Sequence, residues 1–252
     1  MWAPLRFGAA VRQKKLAIES KAGIVVLARY SSSRLPGKAL MKIDGKAVLQ
    51  IIMERLLQVV SRAQIVIATS SEESDQPIEE FARSRGYKVY RGSLQKVALR
   101  FFEAAQNQNW DYACRINGDN IFLEPTVLEE MLALAKTGQY DFISNVKGRS
   151  FPKGISAEIV RLSYYQRWLP QILADPYLTE HVMVYLYQRA EEDRHKYVYN
   201  KRFPGIENLD LALDTPEDLE KSKWIFSQFE KPQQEIGLLE ISALAKRYEK
   251  LL

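Results

Sequence analysis

Residues 24–38 read IVVLARYSSSRLPGK and join an apolar segment directly to a loop of cations and hydroxyl groups. The apolar residues 24–28 have the length and composition of a buried strand. The loop at 29–38 supplies positive charge and serine hydroxyls, and its Pro36-Gly37 pair allows the main chain to turn tightly. Such a loop, placed after a strand and opening into a helix, predicts a polyphosphate-binding site. A basic loop that only faces solvent is the alternative interpretation.

The loop does not match the two common nucleotide-binding motifs. Gly37-Lys38 is followed by Ala39, where a P-loop has the Ser or Thr that binds magnesium. The glycine pattern G-x-G-x-x-G is also absent from the sequence. A dinucleotide-binding fold is therefore not predicted.

The composition is typical of a globular protein of one domain. The chain has 252 residues, of which 46% are hydrophobic and 27% are charged. No apolar stretch approaches the roughly 20 residues of a membrane span. The single Cys114 excludes an intrachain disulfide, and two His with one Cys do not make an ordinary structural zinc site. We therefore expect a protein of the reducing cytoplasm.

The net charge of +5 is concentrated at the beginning of the chain. Residues 1–22 contain five basic side chains and one acidic one, while residues 23–252 contain 31 basic and 30 acidic side chains. This distribution predicts a basic N-terminal extension at 1–22 and a single domain at 23–252. Because the domain is nearly neutral, nucleic-acid binding is not expected. Binding of the extension to a membrane or a partner is the alternative to a merely solvated segment.

Apolar runs alternate with helical patterns from residue 23 onward, which predicts a mainly parallel sheet with helices on both faces. Residues 145–205 fit this alternation less well and are interpreted as a central insertion that covers the sheet edge. The predicted strands are 24–28, 65–69, 87–90, 112–116, 141–144, 157–162, 196–200 and 209–213. The predicted helices begin near 49, 77, 93, 126, 216 and 236.

Two carboxylates directly follow predicted strands. Asp119 follows 112–116 through Asn117-Gly118, and Asp214 follows 209–213. Ligands of open α/β sheets bind beyond the carboxyl ends of the strands, and Mg²⁺ commonly takes one or two protein carboxylates with phosphate oxygens and water. The pair is therefore a candidate magnesium site. A turn role for Asp119 and a capping role for Asp214 are the alternatives.

Residues 27–38 resemble the N-terminal signature of the cytidylyltransferases that activate acidic sugars, a family that includes CMP-Kdo synthetases and acylneuraminate cytidylyltransferases. Five further segments resemble the spore-coat polysaccharide biosynthesis protein F branch and occur in the expected order over about 23–220. They are RINGDN at 115–120, DFISN at 141–145, RSFPKG at 149–154, EHV at 180–182 and LDTPEDL at 213–219.

The resemblance implies a nucleotide-diphospho-sugar transferase fold, a three-layer α/β/α sandwich that usually forms a homodimer. It also implies that the backbone of Leu27 and Ala28 faces the cytosine of CTP and that Asp119 and Asp214 bind Mg²⁺. The side chains that it places at the triphosphate are Arg29, Ser33, Arg34 and Lys38. The catalytic residues that it implies are Arg34, Lys38 and Asp119.

Three departures from the family pattern concern the sites. Ile121 stands where the family has proline, 94–96 read LQK where the branch has an acidic pair, and Ser156 replaces the aspartate of Gly-x-Asp-x-Glu. The second and third departures affect the expected identity of the acceptor more than that of the nucleotide. The residues that remain available to an acceptor are Glu158, His181 and Tyr185.

The sequence therefore predicts magnesium-dependent transfer of CMP from CTP to an acidic sugar or sugar-like acceptor, with release of pyrophosphate. The product would serve surface polysaccharide or glycoconjugate biosynthesis. One alternative keeps the fold but uses another nucleoside triphosphate or a phosphorylated or phosphonate acceptor. Another is a nucleotide-binding scaffold without turnover, which the Ser156 departure slightly favours and the retained pair of aspartates opposes.

Overall fold

The computed structural model describes residues 21–189 and 194–251, and nearly all of the predicted extension lies outside them. The strands are β1 (Ala22–Leu27), β2 (Lys42–Ile43), β3 (Lys46–Ala47), β4 (Ile65–Ser70), β5 (Lys88–Gly92), β6 (Tyr112–Asn117), β7 (Phe142–Ser144), β8 (Glu158–Arg161) and β9 (His195–Tyr197). The α-helices are α1 (Val48–Leu56), α2 (Gln76–Ser84), α3 (Val97–Gln106), α4 (Pro125–Lys136), α5 (Leu162–Ala174), α6 (Pro176–Glu180), α7 (Val184–Tyr187), α8 (Pro216–Ser227) and α9 (Leu238–Glu249). None of the helices in the described ranges is long and apolar enough to cross a membrane.

Within the described ranges, seven strands form one sheet in the order β5-β4-β1-β6-β8-β7-β9. The strands β5, β4, β1 and β6 are parallel, and β8 runs antiparallel to both of its neighbours. The six residues of β1 are all buried, as expected for a strand covered on both faces. The sheet is thus mainly parallel, as the sequence predicts.

The side chains of β1 alternate between two separate cores. Ile24 and Val26 pack in the core that includes α1, α2, α4, α8 and α9. Val25 and Leu27 face the other core, which includes α3 and α5. Helices therefore cover both faces of the sheet, and the three-layer α/β/α prediction is confirmed.

Seven of the predicted strands occur close to their predicted positions, but the strand at 209–213 is wrong. Only Asp210 makes an isolated bridge there, opposite Lys153. Leu211, Ala212 and Leu213 are all buried, so the apolar run in the sequence reflects burial of the segment without a ladder partner. Directly after this bridge Gly154 adopts a φ of +90°, with its backbone packed against Leu211 and Ala212.

The loop after β1 also differs from the prediction in how it ends. Gly37 adopts a left-handed conformation at φ 73°, and the helix that follows is a single 3₁₀ turn, Lys38–Leu40. The hairpin β2–β3 then separates this turn from α1, which begins at Val48. The loop is thus followed by a 3₁₀ turn and a short hairpin before α1 begins.

The structure predicts that Gly154→Ala lowers the free energy of unfolding by at least about 2 kcal/mol, because a side chain at positive φ is strained. The added Cβ would also lie 2.5 Å from the Ala212 amide nitrogen, which is closer than real contacts allow. Urea denaturation measures the difference. The matched control is Gly45→Ala, which has a φ of +73° but no other atom within 4 Å of the new Cβ, and it should cost less. Equal effects of the two substitutions would contradict the close approach at Gly154.

Candidate active site

A cleft of about 330 Å³ opens at the carboxyl ends of β1 and β6, beside the first turns of α3. The sequence predicts eight residues for a nucleotide and its metal, and all eight line this cleft. They are Leu27, Ala28, Arg29, Ser33, Arg34, Lys38, Asp119 and Asp214. The structure therefore brings these residues together, and their roles as ligands stay predictions.

The loop after β1 is shaped by its own backbone and by a buried carboxylate. The amides of Ser32 and Gly37 donate to the Tyr30 carbonyl at 2.9 and 2.8 Å. The Tyr30 amide in turn donates at 2.6 Å to Asp75, which also accepts from the Ser70 amide at 2.9 Å. These bonds anchor the basic loop to the end of β4.

Asp75 is a supporting residue that sequence reasoning misses. It precedes Gln76-Pro77 and resembles a helix cap, yet its side chain makes no capping hydrogen bond. Burial would raise the pKa of this carboxyl, but hydrogen bonds from Ser70 and Tyr30 outweigh burial and hold the pKa below its ordinary value. Asp75 is therefore an ionised anchor for the loop.

The Lys38 ammonium lies at the centre of the charges in the cleft. Its Nζ donates to Asp119 Oδ2 at 2.8 Å, to Asp214 Oδ1 at 2.9 Å and to the Leu213 carbonyl at 2.9 Å. The three charged side chains are only 15 to 20% exposed, so solvent screens their attraction less than at an open surface. All three donors of the ammonium are thus used, and one cation holds two carboxylates together.

Asp119 reaches Lys38 because β1 and β6 are neighbours with Leu27 opposite Asn117. The Gly118 amide then donates to the Leu27 carbonyl at 2.8 Å. A Cβ at position 118 would lie 3.0 Å from that carbonyl oxygen and from the Cβ of Ala28, so glycine permits the close approach.

Asp214 is free to face Lys38 because other residues cap α8. The Asp218 amide donates to the Thr215 hydroxyl at 3.2 Å, and the Asp218 carboxylate accepts from the Asp214 and Thr215 amides at 3.0 Å. This is a capping box, and it does not use the Asp214 side chain. The capping alternative for that side chain is therefore wrong.

Three cations surround the Asp214 carboxylate. Lys38 lies at 2.9 Å, Arg34 at 3.1 Å and Lys153 at 3.5 Å. Burial opposes ionisation, but the hydrogen bond and charge of Lys38, with the charges of Arg34 and Lys153, hold the pKa of Asp214 below its ordinary value of 3.8. Arg34 is 61% exposed and extends toward solvent at the mouth of the cleft.

Asp119 and Asp214 are also the candidate metal ligands. Carboxylate oxygens are the donors that Mg²⁺ prefers, and two of them suffice when phosphate and water complete the shell. The described ranges contain no group of three or more His, Cys, Asp or Glu side chains that could hold a metal by themselves. The pair therefore fits a magnesium ion that is bound together with a phosphate ligand, once Lys38 releases the carboxylates.

The predicted acceptor residues are not all brought to the cleft. His181 lines it, and its ring lies 4.3 Å from that of Tyr177 between centroids. Tyr185 lies outside the lining and packs against Trp168 at 5.8 Å. At the rim beside His181, Arg29 pairs with Glu180 at 3.3 Å.

Glu158 does not line the cleft but pairs with Arg115, a lining residue that sequence reasoning does not single out. Arg115 donates to Glu158 and, at 3.1 Å, to the Asn117 side chain. Tyr187 donates to the other oxygen of Glu158 and contacts the Ser144 hydroxyl at 2.6 Å. Burial and the nearby Glu158 raise the pKa of Tyr187, which keeps its hydroxyl a donor. The network fixes the position of Arg115.

Ser156 is held near this network by its backbone. Its carbonyl accepts a hydrogen bond from the Asn120 side chain at 2.8 Å, directly after the turn that carries Asp119. The Ser156 side chain is not part of the cleft lining.

Comparison with known proteins gives consistent matches over most of the chain. A family model described as cytidylyltransferase matches residues 23–243. Spore coat polysaccharide biosynthesis protein SpsF of Bacillus subtilis is 29% identical over 211 residues, which cover 81% of this chain and 85% of that protein.

Solved structures match as well. The structure of a cytidylyltransferase from Leptospira borgpetersenii has a TM-score of 0.83 and 29% identity, covering 92% of this chain and 96% of that one. The structure of CMP:2-keto-3-deoxy-manno-octonic acid synthetase complexed with CTP has a TM-score of 0.61 and 22% identity, covering 83% of this chain and 99% of that one. The second likeness concerns the fold alone.

Lys38→Met is expected to destabilise the protein at neutral pH by about 1–3 kcal/mol, because the partly buried Asp119 loses its paired cation and Asp214 loses the nearest of its three. Because the pKa of Asp214 is lowered in the folded state, its ion pairs stabilise the fold fully above pH 3.8, the ordinary pKa of the carboxyl. This contribution is lost as the pH falls through the folded-state pKa. The difference between wild type and variant should therefore shrink from pH 7 to pH 3. Urea denaturation at both pH values measures it.

The control is Lys223→Met, which removes an exposed pair with Glu220 whose side chains are 46 and 64% exposed. It should change stability little at either pH. A Lys38 variant that behaves like this control would show that the bridge contributes nothing to the fold.

Proposed function

The chain belongs to the cytidylyltransferase family, and from this premise we propose that it transfers CMP from CTP to an acidic sugar or sugar-like acceptor with release of pyrophosphate. The observation that best supports the proposal is the convergence of Arg34, Lys38, Asp119 and Asp214 in one cleft at the carboxyl ends of the strands. A triphosphate needs cations, and a metal needs carboxylates. Lys38 and Arg34 supply the cations, and Asp119 and Asp214, which both contact the Lys38 ammonium, supply the carboxylates.

The donor nucleotide would lie along the loop after β1. The backbone of Leu27 and Ala28 would face the cytosine, and the side chains of Arg29, Ser33, Arg34 and Lys38 would bind the triphosphate. The tight turn at Gly37 and the anchor at Asp75 support this assignment, because they fix the loop before a ligand arrives.

Asp119 and Asp214 would hold the metal ion. Cytidylyltransferases generally use a divalent metal, and we propose Mg²⁺ because both protein ligands are carboxylates. When bound, the ion would neutralise phosphate charge at the reacting centre. Lys38 would then leave the carboxylates and pair with phosphate oxygens.

In the reaction, an acceptor oxygen attacks the α-phosphorus of CTP in line with the departing pyrophosphate. A P–O bond to the acceptor forms as the bond between the α-phosphorus and the bridging oxygen breaks, and the acceptor proton passes to solvent. Arg34 and Lys38 stabilise the charge that develops on the bridging and leaving oxygens. No covalent intermediate with the protein is needed.

The acceptor would bind on the side of the cleft that contains His181 and Arg115. Glu158 would act through Arg115, and Tyr185 would support the segment that carries His181. The name of the Bacillus subtilis relative supports a place in polysaccharide biosynthesis. A homodimer and a cytoplasmic location complete the proposal.

Two alternatives would give different results in the same assay. An enzyme for another nucleoside triphosphate, or for a phosphorylated or phosphonate acceptor, would release pyrophosphate with those substrates in place of CTP and an acidic sugar. A scaffold would bind nucleotide without turnover. A panel of four nucleoside triphosphates and several acceptors therefore separates the three.

Asp119→Asn and Asp214→Asn should each lower the rate of pyrophosphate release by about a hundredfold or more, because each removes a charge at the reacting phosphate. The matched control is Asp210→Asn, which changes a neighbouring carboxylate that is 46% exposed and does not line the cleft. Its rate should stay near that of the wild type. Near-normal rates in both cleft variants, with thermal melting unchanged, would refute the metal assignment.

We further expect the acceptor to differ from Kdo and neuraminate, because Ser156 brings no charge where the family has aspartate. A substrate panel with wild type and Ser156→Asp tests this. Wild type should transfer CMP faster to another acidic sugar, and Ser156→Asp should shift activity toward the usual substrates. Rapid transfer to Kdo or neuraminate by the wild type would contradict the expectation.

A further inference from the structure

Arg100, in the second turn of α3, is a buried cation that forms no ion pair with a described residue. Its side chain is 2% exposed. Its Nη1 donates to the carbonyls of Ser93 and Leu94 at 2.5 and 3.3 Å. The buried Nε has no hydrogen-bond partner, and Nη2 makes no hydrogen bond within the described ranges. Because Nε and Nη2 lie on the same edge of the planar guanidinium, one whole edge is unpaired.

This unpaired arginine lines the cleft. Next to it are apolar walls formed by Leu27, Val97 and Val182. Burial lowers the pKa of Arg100 to about 10, Asp75 opposes the shift and Arg29 adds to it. The group thus stays charged at neutral pH, in the cleft that also contains Leu27 and Ala28, whose backbone would face the base.

The surrounding chain offers Arg100 no carboxylate. The adjacent segment at 94–96 reads LQK, and Asp75 is already held by backbone amides of Tyr30 and Ser70. Leaving donors of a buried charged group unpaired is costly, so a site with this feature favours a ligand that supplies acceptors. Two parallel N–H groups fit two adjacent acceptor atoms of a flat ring.

We propose that Arg100 determines base specificity by donating from its Nε–Nη2 edge to O2 and N3 of cytosine. The inference rests on the proposed function and names the residue that would recognise the cytosine of CTP. Cytosine presents O2 and N3 as adjacent acceptors, whereas N3 of uracil carries a hydrogen and would oppose an N–H donor. A bidentate arginine contact of this kind discriminates between bases roughly tenfold to hundredfold.

The first test uses the wild-type chain with magnesium and measures the dissociation constants of CTP, UTP and 3-deaza-CTP by isothermal titration calorimetry. The deaza analogue replaces N3 by C–H and leaves O2 and the triphosphate unchanged. CTP should bind at least about tenfold tighter than either of the others. Equal binding of CTP and 3-deaza-CTP would overturn the proposal.

The second test compares Arg100→Gln and Arg100→Lys with the wild type. Gln removes the guanidinium charge, and Lys keeps a charge but lacks the parallel donors. Both variants should bind CTP more weakly, and the ratio of the UTP to the CTP dissociation constant should fall toward one. A uniform loss for all three nucleotides would indicate that Arg100 only holds the loop at 93–94, and would overturn the proposal.

Arg55→Gln is the matched control. Arg55 is also buried, at 1% exposure, and donates to the Ile236 carbonyl at 2.9 Å while its Nε and Nη1 lack partners. It does not line the cleft. The control should lower the melting temperature without changing the ratio of the two dissociation constants.

The outcomes separate this inference from the proposed function. Wild type that binds no nucleotide would contradict both. Wild type that prefers CTP, together with a folded Arg100 variant that keeps the same preference, would overturn only the role of Arg100. Should Arg100→Gln fail to fold, Arg100→Lys and the 3-deaza-CTP comparison decide the matter.

Discussion

The bridge that Lys38 makes between Asp119 and Asp214 is the interaction on which the cleft depends. It joins the loop after β1, the turn after β6 and the segment before α8, which are far apart in sequence. Lys38 bridges two carboxylates that would otherwise repel each other, and Arg34 and Lys153 add positive charge beside Asp214. The proposed reaction uses the same three groups with new partners, because a phosphate can replace the carboxylates for Lys38 and a metal cation can replace Lys38 for the carboxylates. The bridge therefore links the stability of the cleft to its proposed function.

The fold brings these groups together through backbone constraints. Parallel pairing of β1 with β6 sets Leu27 opposite Asn117, so that both loops leave the sheet at the same edge. Gly118 then allows the second loop to approach the first, and Gly154 allows the chain before β8 to pass against the segment that ends at Asp214. In each case, a glycine without a side chain permits the close backbone approach that positions a carboxylate, Asp119 or Asp214.

Most of this arrangement could be predicted from the sequence, since its signals are local. The apolar run at 24–28, the basic loop after it and the carboxylate at Asp119 are each visible within a few residues. The strand prediction at 209–213 was wrong because a short apolar run indicates burial and does not show whether a hydrogen-bonding partner runs beside it. The roles of Asp75 and Arg100 could not be predicted either, since each depends on which hydrogen bonds its side chain makes or lacks after folding.

The central claim is that Lys38 exchanges the two carboxylates for phosphate when the donor nucleotide binds. A crystal structure of the chain with Mg²⁺ and a non-hydrolysable CTP analogue tests it most directly. We predict that Nζ lies within hydrogen-bond distance of a phosphate oxygen and that Asp119 and Asp214 coordinate the metal. A complex in which the analogue is bound and Nζ still joins Asp119 to Asp214 would contradict the account.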